Sequence, residues 1–512
     1  MKKILNKILL LSFYLFCTLI LCFSLRGLSG NPKSSELTSL KWEGNGPFEL
    51  SPERGRFALT YSLIEDKSFQ FSNSLGKFAS PDVAINNKGR FVSLFAPLLS
   101  FVAIPGYIIG KFFGASQVGA FGIVALFAIF NLILIRLIAI RLGAHPLAGT
   151  IASLIFLFAT PAFAYGVNLY QHHISTFLIL LSIYVLLKSE KPWSLGTVFF
   201  LCALAIPLDY PNLFFMAPIG LLALSKIISF KKIKNNLSAK INVYKALAIF
   251  VMIIPVAFFL WFNYLSYGNP FQISGTLHSS KYIQDSDLAS KLTVDKTPQR
   301  SLLTFFQTRN ILQGFYIQFL SPDRGIIYYA PVVIFGALGF GLALKKKAKM
   351  TALLAGIIGA NILLYQMWGD PWGGWAFGSR YLIPSYALLS IFTALLLTYW
   401  KKKIILLVVF LPVAIYSVAI NTLGAITTSA IPPQVEVLQL EKLSGLVQRY
   451  TSQRNWEFLL NGNSKSFAYQ TFLKPYMSPF QFYEILTYSI CILITGLLFY
   501  YFFISKKETE NV

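Results

Sequence analysis

The chain has 512 residues, of which 55% are hydrophobic and only 12% charged. A water-soluble protein of this size carries about a quarter charged residues, so much of this surface cannot face water and the protein reads as integral to a membrane. The net charge of +24 does not call for nucleic acid, because the lysines stand in short clusters between apolar runs, the positive-inside pattern of a polytopic membrane protein.

Apolar runs near residues 8–25, 117–139, 146–165, 173–188, 193–208, 212–229, 244–265, 327–344, 350–367, 382–399, 403–420 and 483–504 predict an all-α fold of about twelve transmembrane helices. The first run, in "MKKILNKILLLSFYLFCTLILCFSL", is long for a signal peptide and lacks a small-x-small cleavage site, so it is expected to span. Cys17, Cys22, Cys202 and Cys491 all lie in apolar runs without metal spacing and read as small buried hydrophobes.

Alternating these helices from a cytoplasmic N-terminus puts Lys2, Lys3, Arg136, Arg141, Lys188, Lys191, "KKIKNNLSAK", "KKKAK", Lys401 to Lys403, Lys506 and Lys507 on one side. That predicts a plasma-membrane protein with both termini cytoplasmic. A further apolar stretch, 93–114, would break this parity; with Pro97 and Pro105 it reads as an interfacial or re-entrant helix on the outer face. Apart from Glu190, Glu508 and Glu510, every carboxylate then falls outside, with the loops 26–116, 266–326 and 421–482. The expected organisation is a membrane domain over 1–420 that includes the first two of these loops, an extracytoplasmic cap over 421–482, and a last helix with cytoplasmic tail over 483–512.

The outer segments carry the polar chemistry. "SPERGRFALTYSLIED" opens a short helix with Glu53 and Arg56, expected to divide between a polar and a membrane-facing side; it could pair a general base with a phosphate-binding cation or simply form a surface ion pair. "SPDVAINNKGRFVS" adds Asp82, Lys88 and Arg90, and "NLYQHHIST" places His172 and His173 at a helix start. Asp209 and Tyr210 follow in "DYPN", Asn269 in "NYLSYGNPF", and Asp323 with Arg324 in "LSPDRGIIYYAPV". "WGDPWGGWAFGSRY" contributes Asp370, Trp372, Trp375 and Arg380. Singly these are helix punctuation, snorkelling arginines and an aromatic belt; together they suit an acidic lipid phosphate, with cations for the headgroup, a carboxylate for an acceptor hydroxyl and aromatic faces for a sugar. No cofactor is evident, and the paired histidines, without further ligands nearby, do not indicate a divalent metal.

In their order, "ERGRFALTYSLIED", "NKGRFVSLFAPLLSFVAIPGYIIG", "DYPN", "NYLSYGNPF", "LSPDRGIIYYAPV" and "WGGWAFGSRYLIP" resemble polytopic glycosyltransferases of the GT-C class, the group related to protein O-mannosyltransferases and the lipid A aminoarabinose transferase. The resemblance implies transfer of a sugar from a polyprenyl-phosphate carrier to a lipid, glycan or protein acceptor on the outer side, with inversion at the anomeric carbon. Glu53 stands where the class has a catalytic aspartate and would activate the acceptor, while Arg56 would steady the carrier phosphate. Phe95 takes the place of a lysine usual in the class, for which Lys88 or Arg90 would substitute; Arg324 and Arg380 are further candidates for the donor, and Asp82, His172, His173, Asp209, Tyr210, Asn269, Asp323, Asp370, Trp372 and Trp375 for the cavity wall. A transporter or flippase of lipid-linked saccharides is the competing reading, opposed by the scarcity of ionisable residues within the spans. A catalytically degenerate membrane scaffold is the third.

Overall fold

The computed structural model describes residues 2–44, 46–233, 236–280, 305–345, 348–401 and 403–504. The chain starts with α1 (Lys2–Ser24), α2 (Ser51–Tyr61), α3 (Asn73–Ala79) and the strands β1 (Val83–Ile85) and β2 (Phe91–Ser93). It continues through α4 (Leu98–Phe112), α5 (Ser116–Arg141), α6 (Pro146–Phe158), α7 (Ala162–Tyr165), α8 (His172–Lys188), α9 (Pro192–Leu204) and α10 (Asn212–Ser225). After β3 (Ile228–Ile233) and β4 (Asn236–Ile241) come α11 (Val243–Ala246), α12 (Ile253–Tyr267), β5 (His278–Ser280), α13 (Ile311–Phe315) and α14 (Ile326–Tyr329). The last part holds α15 (Ile334–Leu344), α16 (Ala348–Gln366), α17 (Ile383–Tyr399), α18 (Ile404–Ile426), α19 (Gln434–Ser444), α20 (Gln453–Leu460) and α21 (Pro479–Phe499).

Each predicted span coincides with an apolar helix, and among the described residues 116–141, 243–267, 380–399, 404–426 and 479–503 are long and apolar enough to cross a bilayer. Of the others, α1 and α16 have 23 and 19 residues, whereas helices such as α6, α9 and α10 have 13 or 14, which at 1.5 Å per residue reach about 20 Å against a hydrocarbon core of about 30 Å. Length alone therefore does not fix the expected count of twelve. The run 146–165 is cut where Pro161 ends α6 and restarts the chain as α7. The basic residues Lys346, Lys347, Lys402, Lys506 and Lys507, and 281–304 of the loop 266–326, lie outside the described residues.

Two small sheets interrupt the expected all-α pattern. The basic segment after α10 is a β-hairpin, with Ile228 opposite Ile241 and Phe230 opposite Ala239; "NLSAKI" alternates polar and apolar residues throughout, and "ISFKKI" does so over its first four, as a strand does. In the first loop, β1 pairs with both β2 and β5.

The first loop packs inward. Residues Glu53 to Tyr61 of α2 are all buried, so the expected division into a polar and a membrane-facing side is corrected: Phe57 joins Phe48, Phe78 and Tyr107 in an aromatic cluster that surrounds the helix. The 15-residue α4 runs along α5 and leaves Ile108, Ile109 and Phe112 exposed. The two helices approach so closely that a Cβ at Gly119 would lie 2.1 Å from the Gly106 carbonyl oxygen, a contact only glycine permits. Cys17 is buried and Cys22 exposed, the latter against the expectation.

An ionic knot ties the first loop to the end of the chain. Buried Arg26 pairs with Glu49 at 2.9 Å and donates to the Gly424 carbonyl at 3.0 Å. Lys465 reaches the other Glu49 oxygen at 3.4 Å, and the backbone of Arg26 bridges to Ser466.

Candidate functional site

Helix ends build the site. The start of α8, the turn from α9 into α10, the end of α16 and the start of the helical segment at Arg380 meet α2 around a cavity of about 510 Å³. Its walls are apolar and aromatic, including Phe95, Leu208, Phe214, Phe259, Tyr365 and Trp368. On α2, Pro52 and Arg56 line it; four residues apart, they share one helix face.

Arg380 is aimed by the turn that precedes it. Gly373 and Gly374 have φ of 73° and 63°, values that L side chains rarely adopt. Asp370 accepts from the Gly374 amide at 2.6 Å, and Arg380 NH2 donates to the Gly373 carbonyl at 2.6 Å. Arg324 holds the turn from outside: it donates to the carbonyls of Trp372 at 3.1 Å, Gly374 at 3.0 Å and Ile431 at 2.8 Å. Its neighbour Asp323 accepts from the Ser321 hydroxyl and the Gln434 amide.

Two cations face the cavity around one aromatic ring. Arg56 lies 5.6 Å from the Tyr170 ring centre and 4.5 Å from that of Phe95; Arg380 lies 5.0 Å from Tyr170 and 5.7 Å from Tyr381. Both are buried. Burial lowers Arg56 to about 10, with the charge of Asp209 opposing the shift, which leaves it cationic at neutral pH. Arg380 Nε and NH1, the Tyr170 hydroxyl, Gln171 Oε1 and His172 Nε2 are buried without a hydrogen-bond partner. Unmet buried donors and acceptors on cavity-lining residues are what a polar ligand would satisfy. Asp209 is half-buried, accepts from Gln171 Nε2 at 3.0 Å, and has its carboxyl raised by burial against the opposing pull of Gln171, Arg56 and Arg380.

Of the residues singled out from sequence, Arg56, His172, Asp209, Tyr210 and Arg380 line this cavity. Glu53 does not: it is one step round α2 from Pro52, fully buried, and accepts from Asn168 Nδ2 at 3.3 Å, while its other oxygen has no partner. Burial raises its carboxyl to about 8, with Arg26 opposing, so it is largely uncharged at neutral pH. His173 turns away toward Asn131 and the Ala162 carbonyl. Lys88 and Arg90 sit exposed on the β1–β2 turn, where Arg90 donates to Gln70, and neither replaces a lysine at the cavity. Arg324 and Asp323 are engaged by the hydrogen bonds above. Asp82 accepts from Ser51 at 2.5 Å, and Asn269 is exposed and accepts from the Phe271 amide. Asp370 is exposed and Trp372 half-buried; Trp375 donates to Glu436 at 2.8 Å. The wall tryptophan is instead Trp368, joined by Tyr170, Gln171, Tyr365 and Tyr381, which sequence reasoning had not singled out. Their signal was adjacency: each lies within a few residues of a charged or His position already marked. Among the described residues no three His, Cys, Asp or Glu side chains converge as metal ligands.

Neither a known protein family nor a curated protein matches the sequence. Among solved structures, the chain is similar to ArnT from Cupriavidus metallidurans in the apo state, at 12% identity and a TM-score of 0.46, over 97% of this chain and 78% of that one. The same enzyme bound to undecaprenyl phosphate gives 13% identity and a TM-score of 0.46 over 96% and 77%. The oligosaccharyltransferase AglB from Archaeoglobus fulgidus, in complex with an inhibitory peptide and a dolichol-phosphate, gives 14% identity and a TM-score of 0.45 over 95% of this chain and 56% of that one.

Proposed function

We propose that this protein is a membrane glycosyltransferase that takes a sugar from a polyprenyl-phosphate carrier and passes it to a lipid, glycan or protein acceptor on the extracytoplasmic side. One observation carries the reading: two buried arginines, Arg56 and Arg380, face a single cavity whose walls are mainly apolar and aromatic, and Arg380 keeps two donors unpartnered there. A guanidinium pair matches a phosphate, apolar walls match an isoprenoid, and the aromatic faces of Tyr170, Tyr381 and Trp368 match a sugar ring. Glu53, expected from the first loop as the base that activates the acceptor, is buried off the cavity lining, and the phosphate site in this reading rests on the arginines. The outer location follows the distribution of lysines and carboxylates along the chain.

The test uses the full chain in lipid nanodiscs, supplied with the membrane extract of a strain lacking the gene, which holds both the polyprenyl-phosphate sugars and the acceptors, and reads free polyprenyl phosphate by mass spectrometry. Release by wild type, and not by Arg56→Met or Arg380→Met, is expected. Translocation of the intact lipid-linked sugar across liposomes without release would refute the reading in favour of a flippase.

A further inference from the structure

We infer that Asp209 is the general base of the cavity, taking the proton from the acceptor hydroxyl. The inference rests on the glycosyl-transfer reading above and adds the residue that moves the proton. Asp209 is the one carboxylate among the described residues that line the cavity. It sits where α9 ends and the chain turns through Pro211 into α10, and the backbone of that turn is fixed by the Asn212 amide, which donates to the Asp209 carbonyl at 3.0 Å. Its carboxylate is oriented by Gln171 Nε2 at 3.0 Å, from the segment that also carries Tyr170 and His172. Both arginines act on Asp209 electrostatically, yet among the described residues neither closes an ion pair with it at 4.0 Å or less. The cavity therefore holds a carboxylate and two guanidiniums in one apolar enclosure without their quenching one another, which is the arrangement of a base held apart from an anion site.

The step balances without a further reactant. The acceptor O–H gives its proton to an Asp209 oxygen as the acceptor oxygen bonds to the anomeric carbon. The bond from that carbon to the carrier phosphate breaks, its electron pair stays on the phosphate oxygen facing Arg56 and Arg380, and polyprenyl phosphate leaves. Burial holds the Asp209 carboxyl above the ordinary aspartate range, which makes it a stronger base than an exposed aspartate.

The experiment compares wild type with Asp209→Asn and Asp209→Glu in nanodiscs. It measures turnover as polyprenyl phosphate release from the extracted donors, and carrier affinity with undecaprenyl phosphate alone. Asp209→Asn should lower turnover by about 10²–10⁴-fold, the range of a positioned general base, and abolish its rise with pH, without weakening undecaprenyl phosphate binding. Asp209→Glu should restore a measurable part of the turnover together with its pH dependence. Asp209→Asn turnover within about tenfold of wild type overturns the inference while leaving glycosyl transfer standing. So does a parallel loss of carrier binding, which would make Asp209 a positioning residue for the arginines. A wild type that releases no polyprenyl phosphate overturns the transferase reading itself.

Discussion

Removing the Arg380 guanidinium should separate carrier binding from folding. The side chain uses NH2 on the Gly373 carbonyl at 2.6 Å, leaving Nε and NH1 buried and unpartnered beside Tyr170. If a phosphate takes those two donors, each charge-assisted bond contributes about 1.5–3 kcal/mol, so Arg380→Met should weaken undecaprenyl phosphate binding by about 10²–10⁴-fold. Arg380→Lys keeps the charge as a point donor and loses the fork, with an expected loss of about 10–100-fold. Without ligand the sign reverses: a buried guanidinium with unmet donors costs folding free energy, so Arg380→Met should match or exceed the thermal stability of wild type. Binding is read by titrating undecaprenyl phosphate into nanodisc-embedded protein, and stability by thermal unfolding in the same discs. Binding by Arg380→Met within about threefold of wild type would refute the phosphate site. A large drop in its unliganded stability would show that the arginine is structural.

Two further outcomes follow from burial and packing. Because Glu53 titrates near 8 in the folded protein and in the ordinary carboxylate range when unfolded, its contribution to stability is complete in acid and lost as pH rises through about 8. Glu53→Gln should therefore flatten the fall of Tm with pH across that window, and an unchanged slope would contradict the burial of its carboxyl. Gly119→Val, whose Cβ meets the Gly106 carbonyl at 2.1 Å, should force α4 from α5 and cost about 3 kcal/mol or more; a Tm equal to wild type would show that the helices are not in contact there.

The sequence made some of this legible and hid the rest for identifiable reasons. That charged groups gather at one set of helix ends followed from apolar run lengths and lysine placement, and Arg56, His172, Asp209 and Arg380 do meet at the cavity. Arg324 looked equivalent to Arg380, since each precedes an apolar helix and follows a glycine- or proline-marked turn. The difference lies in carbonyls from residues 48, 50 and 107 positions away, a proximity no local pattern encodes. Trp368 lines the cavity while Trp372 and Trp375 do not, a distinction that spacing within one aromatic-rich stretch does not carry. Glu53 and Arg56 share a motif, but it is Pro52 that shares the cavity face with Arg56, and the carboxyl points toward Asn168.

The knot of Arg26, Glu49 and Lys465 bears on how the protein is made. A ribosome delivers Arg26 and Glu49 early, yet the carbonyl of Gly424, the amide of Ser429 and the amine of Lys465 that complete their surroundings emerge about four hundred residues later. Until then two charges destined for the interior have only each other and whatever water or headgroups surround them. Closure of this knot is thus a late event, gated by arrival of the final stretch, and a nascent chain halted before residue 465 leaves it open however many of its helices have already formed.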